Sequence, residues 1–293
     1  MVPLALLLWL ASELILYAGL AHQFLGAPLG TAAIAALGAV LGLRAGIIAI
    51  TWAFAAAYAS PAPAMTAGQR LAMMVKEYLA FVLTFIVVLP FEPLWMPRDR
   101  LRQCRLPILL VHGYGCSRGV WWWLRRQLEG AGHTVASVSL VPPYTSVGRM
   151  VPQLNARVEA VCAATGARQV ILVAHSMGGL VCRAYLSRHG CARVAQLVTL
   201  ASPHAGSELA RIGLGRNARE MEPGSRWLRD LATESLGVPT IAVRGTDDNF
   251  VMPQDNQRLA GASDVPLPGI GHLALLVSPR TAAILLAAVA GNE

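Results

Sequence analysis

Three side chains in this sequence have the types and neighbours needed for nucleophilic acyl chemistry. Ser176 stands in Ala174-His175-Ser176-Met177-Gly178-Gly179, directly after the apolar run Ile171-Leu172-Val173. A small-x-Ser-x-Gly string between a strand and a helix forms a tight turn that leaves the serine standing clear of the backbone. Small residues flank it because a larger Cβ would clash there. The helix N-terminus behind the serine adds a partial positive charge where an oxyanion would develop. Such a string also fits an ordinary turn. What favours chemistry is its place between a buried strand and a helix.

A base and an acid follow in the right order. Gly269-Ile270-Gly271-His272 and Gly245-Thr246-Asp247-Asp248-Asn249-Phe250-Val251 each follow or close a strand-like run. His272 would take the Ser176 proton, and a carboxylate would hold its imidazole in the right tautomer. Asp247 and Asp248 compete for that carboxylate role. Upstream, Val111-His112-Gly113-Tyr114-Gly115 ends another strand, and the backbone N–H groups of Tyr114 and Met177 are the expected oxyanion donors. His175 and His204 read as supporting residues; His22, His133 and His189 read as surface.

The elements that must position these residues are legible from Leu106 onward. Residues 107–111, 134–140, 170–173, 194–200 and 240–243 read as buried strands, and residues 119–130, 147–164, 177–189 and 278–289 as helices. Strand–helix alternation implies a parallel sheet with its chemistry at the carboxyl ends of the strands. The candidate residues fall at such ends.

Residues 106–293 resemble the α/β-hydrolase fold, in particular small bacterial lipases and esterases. The strings that carry the resemblance are VHGYG at 111–115, VAHSMGGL at 173–180, LASPHAGS at 200–207, GTDDNFVMP at 245–253 and GIGHLALL at 269–276. It implies a catalytic triad of Ser176, Asp248 and His272, with Asp248 preferred because its distance from Gly245 and Val251 is the usual one in that fold. It also implies acyl-enzyme chemistry on carboxylic esters, with no metal and no cofactor. Two departures stand out. The domain opens at what would be the family's third strand, so the sheet is minimal, and the apolar N-terminal region is foreign to secreted lipases.

That region, residues 1–97, carries three positive and three negative side chains: Glu13, Arg44, Arg70, Lys76, Glu77 and Glu92. Residues 2–21, 32–59 and about 71–90 are each long enough to cross a ~30 Å hydrocarbon core as a helix. Glu13 and Arg44 sit near the middle of the first two, where an ion is costly unless paired, and they are expected to meet. Three spans place the N-terminus and the catalytic domain on opposite sides. Arg98, Arg100, Arg102 and Arg105 then favour a cytoplasmic catalytic domain at a bacterial inner membrane.

The formal charge of +8 lies entirely in residues 98–293, which hold 21 arginines against 13 acids. Those arginines are scattered and form no nucleic-acid motif; ordinary surface charge and proximity to anionic headgroups both fit. Five cysteines, an odd number without metal-ligand spacing, read as reduced thiols. The expected organisation is a minimal α/β-hydrolase domain at 98–293, behind about three transmembrane helices. A cap is expected at about 206–237. Trp121, Trp122 and Trp123 would either wall an acyl pocket or pack the core. The substrate class this implies is a lipid-like ester at a bilayer. A lipid acyltransferase, a small-ester esterase and a non-catalytic membrane binding protein are the alternatives.

Overall fold

A computed structural model of the chain describes residues 2–290. Six strands form one wholly parallel sheet in the order β2-β1-β3-β4-β5-β6. They are β1 (Ile108–Val111), β2 (Val135–Val138), β3 (Val170–His175), β4 (Val194–Leu200), β5 (Thr240–Gly245) and β6 (Ser263–Leu267). Helices α1 (Val2–Leu25), α2 (Leu29–Ala57), α3 (Ala67–Val82) and the single turn α4 (Glu92–Trp95) precede the sheet. Within it come α5 (Trp122–Gly130), α6 (Val147–Thr165), α7 (Met177–His189), α8 (Gly215–Glu220) and α9 (Arg226–Ala232), and α10 (Pro279–Ala290) closes the described chain.

The inner strands are continuous apolar runs because both faces of the sheet are covered. Alternate residues enter different cores. Ile108, Leu110, Ile171 and Val173 join α5 and α10 on one side. Leu109, Val111, Leu172 and Ala174 meet α6 and α7 on the other. Strand β6 escaped the sequence reading for a clear reason. Its residues, Ser-Asp-Val-Pro-Leu, are mostly exposed and include Pro266, which only an edge strand tolerates.

Three N-terminal helices are long and apolar enough to cross a membrane: α1, α2, and α3 with its continuation to Val88. The expected ion pair forms between α1 and α2, with Arg44 Nη2 2.5 Å from Glu13 Oε2 and both side chains buried. Thus each mid-helix charge has its counter-ion.

The packing of α3 was not foreseen. Ala80, Phe81 and Leu89 join the same core as Trp121, Leu273 and Leu285. Contacts with the catalytic part run the whole length of the helix. They extend from Met65, just before the helix, whose sulfur would meet a Cβ on Gly269, to Leu89, just after its continuation, against Gly119. Beyond α4, the enclosed side chain of half-buried Asp99 accepts hydrogen bonds from Arg118, Arg125 and Arg157 and from the Ser137 N–H, pinning the linker to α5, β2 and α6. Among the described residues all five cysteines are free.

Candidate active site

Ser176 sits between the last residue of β3 and the first of α7, with φ 55° and ψ −129°. A non-glycine residue in the left-handed region costs energy that the surrounding structure must hold in place. The restraints are visible. The Ser176 N–H donates to the Leu200 carbonyl at 2.9 Å. A Cβ on Gly178 would lie 2.5 Å from the Val111 carbonyl, and one on Gly179 2.2 Å from Ser202 Oγ. Only glycine allows α7 to start this close to the ends of β1 and β4.

The loop after β1 is pressed against the same serine. A Cβ on Gly113 would stand 2.7 Å from Ser176 Cβ and 3.3 Å from its Oγ, so the backbone entering Tyr114 borders the Ser176 hydroxyl. Met177 begins α7, and the first N–H groups of a helix have no partner within it. Both expected oxyanion donors therefore belong to backbone next to Ser176. His112 fixes this loop: its Nε2 accepts from the Leu140 N–H at 2.9 Å, so its Nδ1 must donate to the Gly113 carbonyl at 2.8 Å. Burial lowers its pKa to about 4 and keeps it neutral.

Asp248 and His272 meet as a buried pair, His272 Nδ1 donating to Asp248 Oδ2 at 2.8 Å. Asp248 is wholly buried, and its Oδ1 accepts the N–H groups of Phe250 (2.7 Å) and Val251 (2.8 Å). The choice between the two aspartates is therefore geometric. Asp247 turns away, accepting from Thr246 Oγ1 and the Gly269 N–H, each at 2.8 Å. Burial pulls the His272 pKa down. The charge and hydrogen bond of Asp248, with the charge of Glu77, outweigh that and raise it above the ordinary histidine value.

The imidazole of His272 is held on two sides, by His175 at a ring distance of 4.6 Å and by Phe250 at 5.1 Å. His175, next to the nucleophile, also bonds the His272 carbonyl through Nε2 at 3.2 Å. Burial drives its pKa well below the usual range, so it stays a neutral spacer. Among the described residues no hydrogen bond joins Ser176 Oγ to His272. Catalytic hydrogen bonds are often long or misaligned until substrate binds.

Residues 206–237, expected to form a cap, carry α8 and α9 and are firmly tied down. Tyr114 Oη donates to the Leu214 carbonyl (2.6 Å) and accepts the Leu214 N–H (2.8 Å), joining the cap to the oxyanion loop. Arg183 donates to the Leu231 carbonyl from below. Trp121 is fully buried with its ring perpendicular to that of His175, while Trp122 packs on Trp95. The tryptophan triplet is thus mostly core.

Reasoning from the sequence missed the site's outer supports, which come from the N-terminal helices. Asn249 Nδ2 donates to Thr51 Oγ1 at 2.7 Å, and Asn249 Oδ1 accepts the His272 N–H at 3.3 Å. Ser60 binds Gln254, which in turn donates to the Asp248 carbonyl at 2.9 Å. Glu77 accepts the Leu273 and Ala274 N–H groups. The available signal was a lone carboxylate in an apolar helix, which ordinarily marks a functional position.

Comparison with known proteins agrees with this architecture. Residues 107–223 match the alpha/beta hydrolase fold family. A triacylglycerol lipase of Burkholderia plantarii is 35% identical over 127 residues, 41% of this chain and 35% of the relative. One from Pseudarthrobacter phenanthrenivorans is 36% identical over 120 residues, 38% of this chain and 37% of the relative. The chain therefore spans little more than a third of the length of these relatives. Among solved structures, a mature Bacillus licheniformis lipase superposes with a TM-score of 0.59 at 19% identity, over 67% of this chain and 96% of that one. Aspergillus fumigatus lipase B gives 0.55 at 16% identity, over 64% and 52%. The part of this chain that follows the N-terminal helices has the α/β-hydrolase fold.

Proposed function

We propose that this protein is a membrane-attached serine hydrolase that cleaves carboxylic esters of lipid-like substrates through an acyl-enzyme on Ser176. The observation that carries the reading is the buried Asp248–His272 pair, hydrogen-bonded at 2.8 Å, on the loops beside a serine in a strained strand-to-helix turn. In this mechanism Ser176 Oγ attacks the ester carbonyl and passes its proton to His272 Nε2. The N–H groups of Tyr114 and Met177 receive the oxyanion. His272 then gives the proton to the departing alcohol. Water, deprotonated by the same imidazole, releases the acid and frees the serine. Asp248 stabilises the imidazolium and keeps Nδ1 protonated throughout.

Three observations favour a lipid-like ester. The relatives matched in sequence are named triacylglycerol lipases. Ile212 and Leu214, in the cap beside Tyr114, are 60% and 69% exposed, an unusual display for apolar side chains near a site. The outer faces of α1, α2 and α3 are also apolar, with Leu8, Ile15, Ile34 and Leu71 all more than half exposed. Bilayer lipid is the solvent such faces suit.

Because α3 and the residues at its ends pack on the hydrolase-fold part, from Gly269 through Leu273 to Gly119, α3 is read as part of that body, lying at the membrane surface. The α1–α2 hairpin is then the element that inserts. Arg98, Arg100 and Arg102, which follow α4, suit an anionic cytoplasmic leaflet.

A fluorophosphonate probe tests the central point. Wild-type protein is expected to label at one site, and Ser176→Ala is expected to be silent. Equal labelling of both would sink the reading. Nitrophenyl octanoate should be preferred to acetate; the reverse order would favour the small-ester alternative.

A further inference from the structure

The geometry points to Glu77, on the apolar helix α3, as a positioning residue that holds the loop of the catalytic base, so that turnover depends on docking of the N-terminal helices. The inference rests on His272 being that base. Glu77 lies outside the motifs that define the hydrolase site, nearly two hundred residues earlier in the chain.

The contacts are specific. Glu77 is fully buried. The Leu273 N–H is shared between the two carboxylate oxygens, at 3.0 Å from Oε1 and 3.1 Å from Oε2, and Oε2 also accepts the Ala274 N–H at 2.9 Å. These are the two peptide groups directly after His272. The residue before it is shaped to the same carboxylate: a Cβ on Gly271 would lie 2.4 Å from Glu77 Oε2. So the backbone on both sides of the base is moulded around a side chain from another element. Burial pushes the Glu77 pKa up to about 7, against the pull of the two N–H donors and of His272, so its charge is present from about neutral pH upward.

Glu77 is one of three such clamps. Thr51 on α2 holds Asn249, which receives the His272 N–H, and Ser60 holds Gln254, which binds the Asp248 carbonyl. Together α2, its connecting loop and α3 grip both the acid loop and the base loop. The charged and titratable groups facing His272 are Asp248 at Nδ1, Glu77 from α3 and the neutral His175 from β3. A simple packing role for Glu77 would stabilise the chain and leave the ionisation of His272 unchanged. A positioning role also sets where that imidazole sits in the field of the two carboxylates.

The test uses the full chain, purified in detergent and assayed with a water-soluble nitrophenyl butyrate from about pH 5 to 9. Glu77→Gln keeps the size but sets its amide nitrogen against an N–H donor and removes the charge. Its kcat is expected to fall about 10²-fold, as for a misplacement of roughly 1 Å, with KM within about twofold. The acid limb of kcat/KM should move to lower pH, because the charge that Glu77 carries from about neutral pH upward no longer favours the imidazolium. Glu77→Asp keeps the charge but loses reach, so kcat should drop with the limb in place. Lys76→Gln, its exposed neighbour, should match wild type.

A Glu77→Gln enzyme within about threefold of wild type overturns the proposal, since a 1 Å displacement costs far more. So does a loss of rate with the acid limb unmoved. If Glu77→Gln fails to fold, an undiminished Glu77→Asp enzyme overturns it. When Ser176-dependent fluorophosphonate labelling persists alongside any of these outcomes, only the role of Glu77 falls. When wild type does not label at Ser176, the hydrolase reading and this inference fall together.

Discussion

Replacing Asp248 by Asn is the sharpest probe of the site, because the structure dictates which way the amide must turn. Asp248 uses Oδ1 for two backbone N–H groups and Oδ2 for His272 Nδ1. Asparagine has a single acceptor oxygen. If that oxygen faces His272, the amide nitrogen opposes the Phe250 and Val251 N–H groups and two buried bonds are lost. At about 1 kcal/mol or more each, that orientation is disfavoured by ~2 kcal/mol or more. The oxygen therefore stays with the backbone, and the NH2 group points at Nδ1. His272 must then accept at Nδ1 and carry its proton on Nε2, the nitrogen that has to receive the Ser176 proton. The expected fall in kcat is about 10⁴-fold, equivalent to ~5.4 kcal/mol of transition-state stabilisation. The backbone bonds survive, so the melting temperature should change little.

The assay is steady-state nitrophenyl ester hydrolysis, with the rate of fluorophosphonate labelling as a second readout. Asp247→Asn is the matched control. Its carboxylate serves only Thr246 Oγ1 and the Gly269 N–H, so it should lose little activity. Retention of more than about a tenth of wild-type turnover by Asp248→Asn would refute the tautomer argument, as would an equal loss in Asp247→Asn.

Other expectations follow from the same geometry. A methyl group at Gly178 would meet the Val111 and His112 carbonyls at 2.5 and 2.8 Å, and backbone cannot step aside; Gly178→Ala should cost about 1–3 kcal/mol in denaturant unfolding and depress activity. Burial holds the pKa of His112 at about 4 and that of His204 at about 3, below the value of 6.5 in the unfolded chain. The unfolded state therefore binds protons first, and stability should fall as pH drops below 6.5, by ~3 kcal/mol for His112 alone on reaching pH 4. His272, with its pKa raised, has the opposite sign: its contribution is complete below pH 6.5 and is lost as pH rises through its folded pKa. Denaturant midpoints across this range should show a net acid loss that His112→Gln reduces. Removing either partner of the buried Glu13–Arg44 pair should destabilise the protein by about 3–5 kcal/mol. The double substitution to leucine should be milder than the two singles summed, and additive effects in thermal unfolding would argue against the pairing.

What the residues alone determined was everything that depends on local pattern. Ser176, His272 and the glycines around them are readable because a tight strand-to-helix turn admits few residue types, and five strands are readable because burial on both faces demands unbroken apolar runs. The ion pair of Glu13 with Arg44 was legible for a similar reason, since two opposite charges at matching depth in adjacent apolar helices have few other partners. Resemblance preferred Asp248 over Asp247, but only the tertiary structure shows which of the two meets His272, because they differ by one position in a loop and the direction of each side chain separates them. Tertiary structure added β6, whose edge position removes the burial that would have marked it. It also attached α3 to the catalytic part. Hydropathy records that a helix face is apolar but not whether lipid or protein covers it. The reach of Glu77 to the backbone beyond His272 is a contact across almost two hundred residues, and no local rule encodes it.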